Sequence, residues 1–189
     1  MGEKKDKEVY EKIIKYSEEY YQGKLHQERY LLLYGAISLD VAYMINTQLL
    51  VMAKEEPDKP ITIEINSPGG SVVDGLSIID TMNHIKPEVI TIVNGLAASM
   101  GAIISCSGDK RYAYPNSQIM LHSASGMVGD YVTHMKDSIT WLEKISNRLK
   151  NILKEKSILT EKEYFKMDNG ELWLNSKESK KFKLIDKII

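Results

Sequence analysis

Three short segments of this 189-residue chain carry residue types that could act together as a nucleophile, a base and an anion-holding turn. Ser99 lies between Ala97-Ala98 and Met100-Gly101-Ala102. A serine at a strand-to-helix turn gains small neighbours that leave its Oγ accessible, and a helix N-terminus whose free N–H groups favour developing negative charge. The same position suits a plain helix N-cap, the commoner role for a serine. Gly69-Gly70, after Ser67-Pro68, offers backbone N–H groups that can approach a substrate closely, as an oxyanion hole requires, or else forms only a tight turn. His122 ends Gln118-Ile119-Met120-Leu121 and is placed to take a proton if that strand ends near Ser99. A buried structural histidine is the alternative. His26 and His84 read as surface or turn residues and His134 falls on a long helix, which leaves His122 as the candidate base.

The elements that must position these residues alternate in type. Tyr30 to Tyr34 is a short apolar run ending at Gly35, and Ser38 caps a helix through Lys54 with Val41, Ile45, Leu49 and Met52 on one side. Ile61-Thr62-Ile63-Glu64-Ile65 alternates as a strand and stops at Asn66-Ser67-Pro68-Gly69-Gly70. A helix over 72–84 follows, then a strand Val89 to Val93 closed by Asn94-Gly95, then a short apolar helix from about Ser99 to Ser107. Tyr112 to Tyr114 and Gln118 to Leu121 are further short strands. This order predicts an α/β domain of repeated β-α-β units with a largely parallel sheet. Each candidate segment then lies just past the carboxyl end of a strand, where ligands bind in open α/β sheets.

Two segments stand apart. Val9, Ile13, Tyr16 and Tyr20 recur at helical spacing, so residues 8–21 read as an amphipathic helix, and residues 1–29 as a segment separate from a domain over 30–189. After the small-residue stretch Ser123 to Asp130, one helix runs from Tyr131 to about Lys156, roughly 39 Å at ~1.5 Å per residue, longer than a small domain buries. Its seam of Met135, Ile139, Leu142, Leu149 and Leu153, with Trp141 nearby, calls for a partner subunit. Thr160 with Glu163, and Asn175 with Glu178, form capping-box patterns for helices through Met167 and to near Phe182.

Composition narrows the function classes. The chain is 43% apolar and 27% charged with a formal net charge of −1, an ordinary globular balance that supplies no counterion-release term for nucleic acid. A single cysteine, Cys106, cannot form an internal disulfide, and no Cys/His spacing resembles a zinc site. It reads as a buried inert thiol. No signal-peptide stretch and no apolar run near the ~20 residues of a membrane span is present, so the expectation is a cytoplasmic protein without metal, cofactor, nucleic-acid or membrane partner.

Taken in order, Ile63-Glu64-Ile65-Asn66-Ser67-Pro68-Gly69-Gly70-Ser71-Val72, Asp80-Thr81-Met82-Asn83-His84-Ile85-Lys86-Pro87, Asn94-Gly95-Leu96-Ala97-Ala98-Ser99-Met100-Gly101 and Pro115-Asn116-Ser117-Gln118-Ile119-Met120-Leu121-His122 resemble the Clp peptidase family, ClpP. The resemblance runs from about Tyr30 to Leu184-Ile185-Asp186. It implies that family's fold, shared with crotonases, and its activity, cofactor-free hydrolysis of peptide bonds of unfolded polypeptides by a serine triad inside a chamber of stacked rings, two heptamers in the family. Carried over residue by residue, Ser99 is the nucleophile, His122 the general base, and the N–H groups of Gly69 and Met100 the oxyanion hole. The family's acid, an aspartate two residues before an aromatic, corresponds to Glu171 ahead of Trp173, with Asp168 as the runner-up. Ser123-Ala124 stands where the family has Gln-Pro, while the stretch from about 123 to 156 matches its handle, where rings dock. The N-terminal thirty residues do not resemble the family's axial loops, so an ATP-driven (AAA+) unfoldase partner rests on the remainder of the chain. A catalytically inactive subunit of a mixed ring and, more remotely, a crotonase-type acyl-CoA enzyme are the competing expectations.

Overall fold

The computed structural model describes residues 20–124 and 132–189, with side chains in the second segment from Met135 onward. Residues 20–27 form helix α1, so the end of the expected 8–21 helix is helical and continues to 27, while the rest of that helix, residues 125–130 of the expected Ser123 to Asp130 stretch and the expected helix start at Tyr131 lie outside the described residues. The order thereafter is β1 (Tyr30–Tyr34), α2 (Leu39–Glu55), β2 (Ile61–Ser67), α3 (Val72–His84), β3 (Val89–Ala98), α4 (Met100–Ser107), β4 (Lys110–Ala113), β5 (Gln118–Leu121), α5 (Val132–Lys156), α6 (Glu161–Asp168), β6 (Leu172–Asn175), α7 (Ser176–Lys181) and β7 (Lys187–Ile188).

Strands β1, β2, β3, β4 and β7 lie side by side and parallel. Alternation in β2 decides which face is covered: Ile61, Ile63 and Ile65 are fully buried, together with Leu31, Leu33, Val89 and Val93 of the neighbouring strands. Helices α2, α3 and α4 supply the rest of that core through Ile45, Leu49, Ile78 and Ile104. Burying each such aliphatic side chain contributes about 1.5–3 kcal/mol. Ser38 starts α2 as expected, its side chain accepting from Val41 N.

β3 departs from the sequence expectation. Instead of ending at Asn94-Gly95 it runs on to Ala98, because Gly95, at φ +84°, bends the strand without stopping it. Its first half pairs with β4 (Ile90 to Val93 against Lys110 to Ala113) and its last three residues pair with β5 (Leu96 to Ala98 against Gln118 to Met120). β6, which the sequence reading did not resolve, adds antiparallel to β5. Ser176 fastens this outer pair to the main sheet, its hydroxyl reaching Tyr114 O at 2.7 Å and Ser117 O at 3.1 Å.

The long helix is half docked. Leu149 and Leu153 are buried, with Ile145 and Ile152 packed beside them, whereas Ile139 and Trp141 near the other end are 51% and 49% exposed. The expected capping boxes are present at Thr160/Glu163 and Asn175/Glu178.

Candidate active site

Ser99 occupies the junction between β3 and α4 with φ 53° and ψ −123°, a conformation that L-residues rarely adopt and that costs about 1–3 kcal/mol. Two contacts hold it there. Its N–H donates to Met120 O at 2.8 Å, and Gly69 presses so close that a Cβ on that glycine would lie 2.7 Å from both Ser99 Cβ and Ala98 O. The Ser99 hydroxyl makes no capping hydrogen bond, so the simple N-cap role does not describe it. Half-buried, it sits at the start of a helix whose eight residues are all buried.

Gly69 itself has φ +92° and Gly70 φ +148°, backbone that only glycine adopts readily. The expectation placed an oxyanion donor at Gly69. Its N–H is 3.1 Å from Ser67 Oγ and is thereby occupied; the Ser67 hydroxyl in turn donates to Gly35 O at 2.6 Å. Among the described residues the N–H of Gly70 has no hydrogen-bond partner, while that of the next residue, Ser71, donates to Ile37 O. Met100 N–H opens the first turn of α4 and has no partner within the helix. Gly69 lies against it, 3.0 Å from Met100 N to where a Cβ would be. Ser67 escaped the sequence reading, although a serine two residues before a glycine is a recognisable side-chain-to-backbone turn signal.

His122 follows the last residue of β5, half-buried, next to the strand that ends in Ser99. No hydrogen bond among the described residues joins it to Ser99, Asp168 or Glu171. The two candidate acids are placed differently. Asp168, at the end of α6, accepts from Ser123 Oγ at 2.8 Å and Lys150 Nζ at 2.7 Å. Burial acts to raise its carboxyl, but those two hydrogen bonds outweigh it and hold the group below the ordinary aspartate range. Glu171 precedes β6, and the β5–β6 register of Leu121 opposite Leu172 puts His122 opposite Glu171 one step further on. One oxygen of Glu171 accepts from Trp173 Nε1 at 2.8 Å.

A family model described as Clp protease matches residues 15–189. The chain belongs to the Clp protease family. The match extends fifteen residues ahead of β1, into the segment that the sequence reading set apart from the domain over 30–189. Among the described residues, the Clp protease chain has no cluster of three metal-ligating side chains and no helix long and apolar enough to cross a membrane. Cys106 is fully buried, and burial pushes its thiol up to about 11. A groove of about 700 Å³ between α6, β6 and α7 is lined by Phe165, Trp173 and Phe182 and reaches the candidate site at Glu171.

Proposed function

We propose that this Clp-family chain is a serine endopeptidase. Ser99 Oγ attacks the peptide carbonyl while His122 takes its proton, and His122 returns that proton to the leaving amine. Water, deprotonated by the same imidazole, then frees the acyl group from Ser99. The oxyanion is received by Met100 N–H and, since Ser67 holds the Gly69 N–H, by that of Gly70. Glu171 orients the imidazole, which is supported by the strand register and by the engagement of both Asp168 oxygens elsewhere. The single observation that carries the reading is the backbone of Ser99: a strained serine at a strand-to-helix junction, with Gly69 against its Cβ and a free helix N-terminus behind it.

Substrates are unfolded polypeptides and peptides, cut within a cytoplasmic homo-oligomer of stacked rings. Membership of the Clp protease family and the half-projecting α5, with Ile139 and Trp141 exposed, support assembly. Feeding of the chamber by an AAA+ unfoldase rests on family membership alone. The second reading, a silent subunit of a mixed ring, is favoured by the missing hydrogen bond between Ser99 and His122, although such bonds are often loose before substrate binds.

Intact-mass measurement after exposure to a fluorophosphonate, with Ser99→Ala as control, separates the two. A single adduct absent from the variant supports the peptidase; no adduct on an assembled oligomer supports the silent subunit.

A further inference from the structure

His122 makes no hydrogen bond to Ser99, Asp168 or Glu171, whose described partners lie elsewhere, so the direction of its imidazole depends on how the chain is held on either side. Before it the sheet does the holding. Leu121 is 1% exposed and paired with Leu172, and Met120 O accepts the Ser99 N–H at 2.8 Å. After it the sheet has ended, since β5 stops at Leu121.

Ser123 takes over there with two bonds to one helix end. Its N–H donates to Met167 O at 3.1 Å, and its hydroxyl donates to Asp168 Oδ1 at 2.8 Å. The backbone bond alone leaves Ser123 free to pivot about Met167 O; the second bond, to a carboxylate, removes that freedom. The helix end is itself a firm base. Tyr164 and Met167 of α6 are buried in the core, and Lys150 Nζ of α5 holds the other Asp168 oxygen at 2.7 Å. An amide oxygen at 168 would serve the same hydroxyl, so the tether needs an acceptor in that place and not its charge. It adds little to the fold, because β5 is already paired with β3 and β6. What it fixes is the single residue between the last sheet pair and α6, which is His122.

We propose that Ser123 is a positioning residue for the general base: its hydroxyl, seated on Asp168, fixes the chain just past β5 so that the His122 imidazole is aimed at Ser99. The proposal rests on the peptidase reading above. A base held loosely loses rate through misdirected attack without loss of substrate affinity, since catalytic groups must be kept within about 0.5 Å of the productive geometry.

The test compares the full-length oligomer with Ser123→Ala, Ser123→Thr and Ser123→Val. Ser123→Ala is expected to lower kcat about 5–10-fold with KM within about twofold of wild type, and to slow fluorophosphonate labelling by the same factor, because that reagent needs Ser99 and His122 but no bound peptide. Ser123→Thr keeps the hydroxyl and is expected to restore kcat, whereas Ser123→Val, of the same shape without it, is not; this pair serves if Ser123→Ala disturbs folding. Added to His122→Ala, Ser123→Ala is expected to change the residual turnover by less than about twofold, since the effect has no imidazole to act through. Unchanged kcat in Ser123→Ala and Ser123→Val overturns the proposal. So does a threonine variant no better than the valine one, or a fall that persists in the His122→Ala background, which assigns Ser123 to the structure around Ser99. Wild-type protein that takes up no fluorophosphonate overturns the peptidase reading and this proposal with it, whereas a labelled wild type beside an unaffected Ser123→Ala overturns the proposal alone.

Discussion

The Trp173 indole N–H donates to Glu171 Oε2 at 2.8 Å, across two residues of one strand end, while Oε1 has no partner among the described residues. The longer glutamate side chain is thereby pinned at one oxygen. If Glu171 orients His122, Trp173→Phe removes that pin without removing the acid. The expected outcome is a fall in kcat of about 3–10-fold, as for a loosened positioning contact, with the acid limb of the kcat/KM pH profile displaced. An unchanged profile would detach Trp173 from the site.

Ser99→Ala and His122→Ala are each expected to lower peptide turnover by on the order of 10⁴-fold. Neither side chain fills the core, so sedimentation velocity is expected to show wild-type assembly. Near wild-type turnover in either variant removes that residue from the mechanism.

Glu171→Gln is expected to cost more activity than Asp168→Asn. The reverse ranking moves the acid to Asp168. For Asp168 the larger consequence is stability: its folded-state pKa is depressed, so the contribution is present above the unfolded value near ~3.9 and is lost as pH falls through the lower folded value. With both partners partly exposed it amounts to about 0.5 kcal/mol. Melting temperatures of wild type and Asp168→Asn, apart at pH 7, should converge as acidification carries the pH through the depressed folded value.

Gly69→Ala places a methyl group 2.7 Å from Ala98 O and Ser99 Cβ at a φ of +92°. Both atoms belong to the turn that carries Ser99, so relief of the clash must move it. Fluorophosphonate labelling is expected to fall by at least 10²-fold alongside a stability loss of about 1–3 kcal/mol. Full labelling in a folded variant would show that this approach does not position Ser99.

Native Cys106 is expected to resist iodoacetamide at pH 8. A thiol raised to about 11 is roughly a thousandth ionised there, and the side chain is fully buried. Mass spectrometry after native and denaturing exposure distinguishes this from a reactive thiol.

Local signals were legible where they were self-contained. Ser38, Thr160/Glu163 and Asn175/Glu178 announce helices because each cap is settled within four residues, and the 72–84 helix has the expected bounds. Features settled by distant partners were not. Gly95 reads as a stop but serves as a bend because β5 waits beyond it, and Leu172 to Asn175 is too short to declare itself a strand without β5. Arg29 looks like a surface residue, yet it is buried and donates to Met52 O and Lys59 O, contacts that arise only when α2 packs. In the site, residue types marked Ser99 and the glycine turn, but which glycine N–H is free depends on where the Ser67 hydroxyl points.

The suspension of β5 between β3 and β6 also sets a clock. Three residue pairs attach it on one side and four on the other, and the second set is made by residues translated about fifty positions after His122. At roughly 5–20 residues per second, the ribosome needs several seconds to supply them. Through that interval the His122 imidazole rides on a strand with one neighbour, so a nascent chain holds Ser99 well before β5 can hold His122 from both sides.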